Sequence, residues 1–389
     1  MHAHRPLSHR SLPTRLGLAA GALVLAAAAQ AQVRVGVTNL VSDDPTANAA
    51  QLTDAGLLNA WGLSYPPTGP FWISSNGGAT ALLYSVNPLT QATTKLGITV
   101  TIPDAGSVTG QVFNGASGGG SFNADNFLFV TEAGGIYGWR NSLGTTAERL
   151  ITETASNVYK GAAFASIGGT GYLYAANFRA GTIDVVKGAT AAPDLSGRFT
   201  DPNLPAGYAP FNIQNLGGTM YVTYALQDAA KRDELAGAGR GFVSAFDVQG
   251  NFIGRVASAG SLDAPWGLAI APSSFGALAG ALLVGNFGDG RISAFNATSH
   301  TFLGQLAASD GTPLAIDGLW ALSPGNDGSA GSSALVYFTA GPDDEMHGLF
   351  GVLTPLGIAA VPEPTSALLL LVGMVAIGAV VGPRRKRGR

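Results

Sequence analysis

One phrase returns along this chain, and it constrains the fold more than any single motif. Residues 263–296 read DAPWGLAIAPSSFGALAGALLVGNFGDGRISAFN. The stretch predicts three antiparallel strands, over 266–270, 281–285 and 291–295. Each is a short apolar run bounded by Gly, Pro, Asn or Asp, which is a strand signal. Pro272 closes the first, and Gly288-Asp289-Gly290 marks a hairpin. Ile292 and Phe295 are expected to face a core. A fourth strand follows at 302–306. Four short strands in a meander make one blade of a β-propeller.

Related phrases open at Asn59-Ala-Trp-Gly-Leu63, Thr109-Gly-Gln-Val-Phe113, Lys160-Gly-Ala-Ala-Phe164, Pro210-Phe-Asn-Ile-Gln214 and Asp317-Gly-Leu-Trp-Ala-Leu322. Each precedes two further apolar runs. The spacing, roughly 50 residues, is the size of a propeller blade. The sixth repeat lacks an obvious fourth strand. Upstream, Val33, Val35 and Val37 alternate with polar residues or glycine, a strand pattern. The expected fold is therefore all-β: a six-bladed β-propeller over residues 32–356, with the N-terminal strand (32–40) closing the last blade. Closure removes the edge that would otherwise pair with other chains. Trp61, Trp266 and Trp320 recur on the innermost strands and are expected to pack the blades.

Composition fits this reading. The 55 glycines follow no Gly-X-Y period and supply hairpin turns. There are no cysteines, and six blades bury enough apolar surface without disulfides. Of 21 basic residues, three lie in 1–31 and five in 357–389, with a single glutamate there. Without these ends the body is strongly acidic and has no basic stripe, which argues against nucleic acid as a partner.

The ends carry targeting signals. Residues 1–31 read as a signal peptide: Arg5, Arg10 and Arg15, an apolar stretch, then Ala29-Gln-Ala31 as a small-x-small cleavage site ending at Ala31. At the other end, Val361-Pro-Glu-Pro-Thr365 precedes an apolar run and then Arg384-Arg-Lys-Arg387. Residues 357–389 thus resemble the PEP-CTERM sorting signal of Gram-negative bacteria. The resemblance implies an exosortase, a membrane protease, as partner, with cleavage near Pro362, Glu363 and Pro364. The apolar run is short for a ~20-residue span, so it is expected to insert in the membrane transiently, with the basic end cytoplasmic. The phrases Ala264-Pro-Trp-Gly-Leu268, Leu283-Val-Gly-Asn-Phe-Gly-Asp-Gly-Arg291, Ala206-Gly-Tyr-Ala-Pro-Phe-Asn-Ile-Gln214 and Thr339-Ala-Gly-Pro-Asp-Asp-Glu345 resemble an uncharacterised family of exported bacterial proteins. That resemblance implies a propeller with NHL-like repeats. It brings no established reaction, so no catalytic residue is carried over.

Candidate chemistry is sparse. Gly115-Ala-Ser117-Gly-Gly119 fits G-x-S-x-G, but lies in a glycine-rich loop rather than on a strand-to-helix elbow. Gly237-x-Gly239-x-Gly241 and the glycines of 285–290 open no helix and read as turns. The sharpest polar cluster is Asp343, Asp344, Glu345 and His347, in the loop between two strands of the sixth repeat. Its carboxylates suit a hard cation, Ca²⁺ first. Asn76, Glu132, Asn177 and Asn286 occupy equivalent places after the second strand. Repeat symmetry puts them on one face of the ring, where Asn76, Asn177 and Asn286, with Asp317, are candidate ligand-binding residues. The charged insertion 226–240 separates the middle strands of the fourth repeat, with a short helix expected over 227–235.

No complete catalytic constellation is visible. The expected function is therefore that of an exported binding or interaction protein at the cell surface or in the extracellular matrix. It would be inner-membrane-anchored before processing and would bind a polysaccharide or other surface ligand. The alternative is a metal-dependent propeller hydrolase or lactonase using the carboxylate cluster.

Overall fold

The computed structural model describes residues 33–103 and 106–356. Both processing sites, Ala31 and Pro362 to Pro364, and the apolar tail lie outside the described residues. No helix among the described residues is long and apolar enough to cross a membrane.

Six antiparallel sheets succeed one another along the chain. Blade one holds Ala60–Ser64, Phe71–Ser75, Thr80–Val86 and Thr93–Thr101. Blade two holds Val108–Phe113, Phe127–Thr131, Ile136–Trp139 and Glu148–Ile151. Blade three has three strands, Tyr159–Ile167, Thr170–Asn177 and Thr182–Lys187. Blade four holds Tyr208–Leu216, Thr219–Leu226, Phe242–Asp247 and Phe252–Ser258. Blade five holds Pro265–Ile270, Leu282–Asn286, Ile292–Phe295 and Phe302–Gln305.

Blade six, Leu319–Pro324, Val336–Ala340 and Leu349–Pro355, is completed by the start of the chain. Val35–Ser42 runs antiparallel to its last strand, from Val35 opposite Pro355 to Ser42 opposite Leu349. Leu52–Thr53 adds a short parallel edge. The closure expected from the sequence is therefore the one observed.

Each blade buries both faces. Ile292 packs between blades five and six with Leu319 and Phe338, whereas Phe295 packs between blades four and five with Tyr221 and Val243. The two side chains point to opposite faces of one strand, as its twofold alternation requires. Equivalent apolar layers fill the other junctions. A further cluster lies on the axis: Trp61, Phe178, Phe211, Trp266 and Trp320.

The innermost strands share one irregularity. Each shifts register against its neighbour within its first turn of pairing: at 60–63, 108–111, 159–162, 210–212, 265–267 and 319–322. A bulge of this kind re-aims a side chain. At the bulges stand Trp61, Thr109, Lys160, Phe211, Trp266 and Trp320. Glycine follows four of them because adjacent inner strands nearly touch. A Cβ on Gly110 would lie 2.6 Å from Ala162 N, and one on Gly267 would lie 2.6 Å from Trp320 O. Threonines of the second strand take up amides beside two bulges: Thr223 Oγ1 accepts from Asn212 N and Thr339 Oγ1 from Ala321 N, both at 3.0 Å.

The helix expected over 227–235 is absent. Asp228 and its neighbours form a tight turn instead, with Asp228 N donating to Asp233 O and Leu235 N to Leu226 O, both at 2.8 Å. Asp228 Oδ1 accepts from Arg232 N and Asp233 N. Such side-chain bonds compete with helix.

The closing strand should govern stability. Val41→Asp places a charge in the junction between blades six and one, where Val41 is fully buried. Thermal melts should show a loss of several °C or failure to fold, since an unpaired buried charge is strongly destabilising. Thr38→Glu, at an exposed position of the same strand, should melt near the parent temperature. Equal melting of Val41→Asp and parent would refute the closure.

Candidate functional site

Every inner strand begins at the same end of the ring. The loops joining second to third strands lie at that end too, including residues 227–241 of blade four and 341–348 of blade six. This end is the mouth of the axial channel.

Lys160 occupies the bulge of blade three, and its side chain is only 2% exposed. Its Nζ lies 2.5 Å from Glu132 Oε1 and 3.2 Å from Asp233 Oδ1. The ammonium also stands 5.2 Å from the Trp61 ring centre, within cation–π range. Below it, Trp61 stacks on Trp320 at 3.6 Å and Phe287 on Trp320 at 4.1 Å. A second cation, Arg232, reaches Glu132 Oε2 at 3.6 Å.

Glu345 approaches from blade six. Its Oε2 accepts from Asn59 Nδ2 at 2.5 Å, and Asn59 Oδ1 accepts from Trp320 Nε1 at 2.9 Å. The loop that carries Glu345 is held in an unusual way. Asp343, Asp344 and Glu345 are all left-handed, with φ of 57°, 50° and 66°, a conformation costly for residues other than glycine. The glycines at its ends, Gly341 and Gly348, press against Asn59 and Leu57 where a Cβ would collide. This left-handed turn directs Glu345 inward and leaves Asp343 and Asp344 exposed.

The electrostatics follow from burial and from Lys160. Burial pulls the Lys160 ammonium down, but Glu132, Glu234 and Asp233 outweigh it and hold the group above its usual range. Burial pushes Glu132 up, and Lys160 more than reverses this, leaving it below the usual carboxylate range. Glu234 is raised by burial, which Lys160 only partly offsets. Glu345 is pushed up to about 7, first by burial and then by the charge of Glu234.

The residues singled out in the sequence are distributed differently. The cluster Asp343, Asp344, Glu345 and His347 does not converge. His347 Nδ1 pairs with Asp43 Oδ2 at 3.0 Å, and Asp343 N donates to Asp317 Oδ2 at 2.8 Å. Among the described residues, no group of three or more His, Asp or Glu side chains is placed to hold a metal ion.

Asn76, Asn177 and Asn286 share the mouth end, but their side chains brace loops. Asn76 Nδ2 donates to Val108 O of the next blade at 3.2 Å. Asn177 Nδ2 donates to Asn157 and Asp184, and Asn286 Nδ2 to Ser261 O and Asp289. Only Asn76 connects to the central cluster, through Asn59 at 3.4 Å. Asp317 is exposed on the rim. Ser117 lies in a short 3₁₀ turn, where its hydroxyl meets Asn126 Nδ2.

Sequence reasoning missed Lys160, Glu234 and Asn59 as site residues. One signal was present: Lys160 stands where three of the other five repeats place tryptophan, in an otherwise apolar strand phrase.

No family model matches the chain. Uncharacterized protein R648 of Acanthamoeba polyphaga mimivirus is 30% identical over 323 residues, which cover 78% of this chain and 76% of that protein. Among solved structures, the chain resembles the α-L-arabinofuranosidase of Fusarium graminearum in complex with arabinobiose, at 10% identity and TM-score 0.51 over 82% of this chain and 98% of that one. It also resembles an auxiliary nutrient binding protein from Bacteroides ovatus, at 12% identity and TM-score 0.50 over 84% and 78%. At such identities these likenesses speak for the fold alone.

The Lys160–Glu132 pair should behave as a buried ion pair. Lys160→Met strands Glu132 and should cost about 3–5 kcal/mol, read from denaturant unfolding. Adding Glu132→Gln should recover most of that loss. A double variant no more stable than Lys160→Met would show that the pair is not coupled.

Proposed function

This chain belongs to the family of the mimivirus protein R648, and we propose that it is an exported propeller that binds a surface ligand at the acidic mouth of its channel. The observation that carries this reading is the charge balance there. Glu132, Asp233, Glu234 and Glu345 surround Lys160, with Arg232 as the second cation. Lys160 is sealed between Glu132 and Asp233, so it serves as an anchor and not as a nucleophile. Among the described residues, the Glu345 carboxylate has only the Asn59 amide as a hydrogen-bond partner. A ligand bringing an ammonium group, such as an amino-sugar polymer, supplies the missing positive charge.

The test uses the titration of Glu345. Its proton leaves near pH 7, so a cationic ligand favours the ionised form and releases that proton on binding. Affinity for quaternised (N,N,N-trimethyl) chitosan oligomers, whose charge does not titrate, should rise several-fold from about pH 6 to about pH 8. Glu345→Gln should abolish the rise. The same group affects stability with a definite sign. Its folded pKa is raised above 4.5, so its contribution is most favourable at low pH and is lost as pH rises through about 7. Glu345→Gln should flatten that slope in thermal melts. Binding that falls with pH in the parent would sink this reading.

The export route rests on the two ends of the sequence. Mass spectrometry of the extracellular product should find a start at Gln32 and loss of the segment after about Pro364, as exosortase processing requires. An extracellular chain retaining Arg389 would overturn the PEP-CTERM assignment.

A hydrolase stands second. Glu345 carries a proton near neutrality close to an ionised Glu132, the division that general acid and base need. Turnover of a glycoside or lactone that is lost in Glu345→Gln would promote it. The metal-dependent form has less support, because among the described residues no three His, Asp or Glu side chains are placed together to hold a metal ion.

A further inference from the structure

The two ends of the ring differ in what they expose. Among the described residues, eight large apolar side chains are exposed. Leu235 and Met346 stand on mouth loops. The other six belong to the opposite end, where third strands turn into fourth strands. Leu89, 92% exposed, tips the hairpin of blade one. Phe252 and Ile253 follow the hairpin of blade four, and Phe302 follows that of blade five. In blade six, Leu356 succeeds the last strand, and Val37 lies near the start of the closing strand. Blades four, five, six and one are neighbours in turn around the closed ring, so these side chains lie along one arc of its rim.

Singly scattered apolar residues are ordinary, but a gathering at one end marks an interaction surface. Two of its members are held rigidly. Phe252 packs against Phe246 and Phe302 against Phe295, each with ring centres 5.5 Å apart. Charge is divided the other way. Among the described residues, Asp247 and Asp327 are the only carboxylates at this end of the four blades. The mouth loops of the same blades carry Glu234, Asp289, Asp317 and Glu345 among others. At the centre of the opposite end, the pocket below the aromatic core is lined by no Asp, Glu, Lys, Arg or His.

The chain also leaves the body here, at Leu356. Residues 357–366 separate it from the apolar stretch 367–381, and ten residues reach at most ~35 Å. From this we infer that the arc of blades four, five, six and one docks on a lipid bilayer, with the mouth directed away from it. The inference rests on the tail being a membrane segment, and it adds the orientation of the body. So short a tether holds the arc at the bilayer at high effective concentration. Each apolar side chain then gains by burial among headgroups and acyl chains, while anionic headgroups repel the acidic mouth.

The chain has no cysteine, so single cysteines can carry a nitrobenzoxadiazole fluorophore without background. Leu89→Cys, Ile253→Cys and Met346→Cys are compared in the full chain, reconstituted in phosphatidylcholine vesicles. Gly388→Cys follows the tail. Labels at 89 and 253 should brighten severalfold, shift to the blue and be quenched by nitroxide lipids, whereas the label at 346 should not respond. The response should persist at high salt, which removes exposed Coulombic attachment but not apolar docking. Leu89→Glu with Ile253→Glu should lower the response of a label at Phe302→Cys severalfold. Silence at 89 and 253 overturns the docking. If the 388 label is then shielded from an aqueous quencher, the tail reading survives; if it is not, both fall. Equal responses at 253 and 346 would overturn the orientation. A blue shift at 89 and 253 without vesicles, with a dimer in sedimentation, would assign the arc to a second copy and overturn the inference.

Discussion

Six strands crowd one axis, and the molecule resolves that crowding in the same way each time. The inner strand bulges one step after it enters the sheet, and in four blades a glycine follows so that the next blade's backbone can come close. Gly110 and Gly267 show the constraint directly, since their missing side chains make room for Ala162 N and Trp320 O. The bulge has a cost, a backbone amide taken out of the ladder, and Thr223 and Thr339 offset it. It also has a product: one side chain from each blade directed at the axis. The aromatic core and the ion cluster are both consequences of this repeated irregularity.

Five of the six bulge positions carry Trp, Phe or Thr, and the sixth carries Lys160. That single departure from the repeat dictates the chemistry of the mouth. A buried ammonium needs an anion, and Glu132 of the preceding blade supplies it. The blade-four insertion then reaches over with Asp233, and the left-handed turn of blade six brings Glu345. Carboxylates gathered around one lysine cannot all be compensated by it. The most desolvated of those lacking a direct cation, Glu345 and Glu234, are therefore the ones pushed upward.

The blades were legible because each is written locally, in strand and turn residues a few positions apart. Closure was legible because Val33, Val35 and Val37 alternate where no other partner is in sight. The mouth was not. Lys160 meets Glu132 and Asp233 across 28 and 73 residues of chain, and no local pattern records such meetings. Adjacency in sequence misled in the opposite direction. Asp343 to His347 look like one ligand set, but among the described residues no three His, Asp or Glu side chains come together to hold a metal ion. The asparagines did fall at one end of the ring, as repeat symmetry required. Their amides were already committed to neighbouring loops, which the repeat could not reveal. The helix expected over 227–235 failed because Asp228 captured the amides of the turn.

The channel is thus not a conduit. Trp61, Trp320, Phe211 and Trp266 close its middle, and Trp266 belongs both to that closure and to the lower cavity wall. The two ends differ in the physics available to them. At the mouth, attraction is Coulombic and is weakened by salt. The lower pocket has no charged side chain on its wall, so only hydrogen bonds and apolar contact act there. The repeated bulge that builds the axis has in this way produced two separate environments along it.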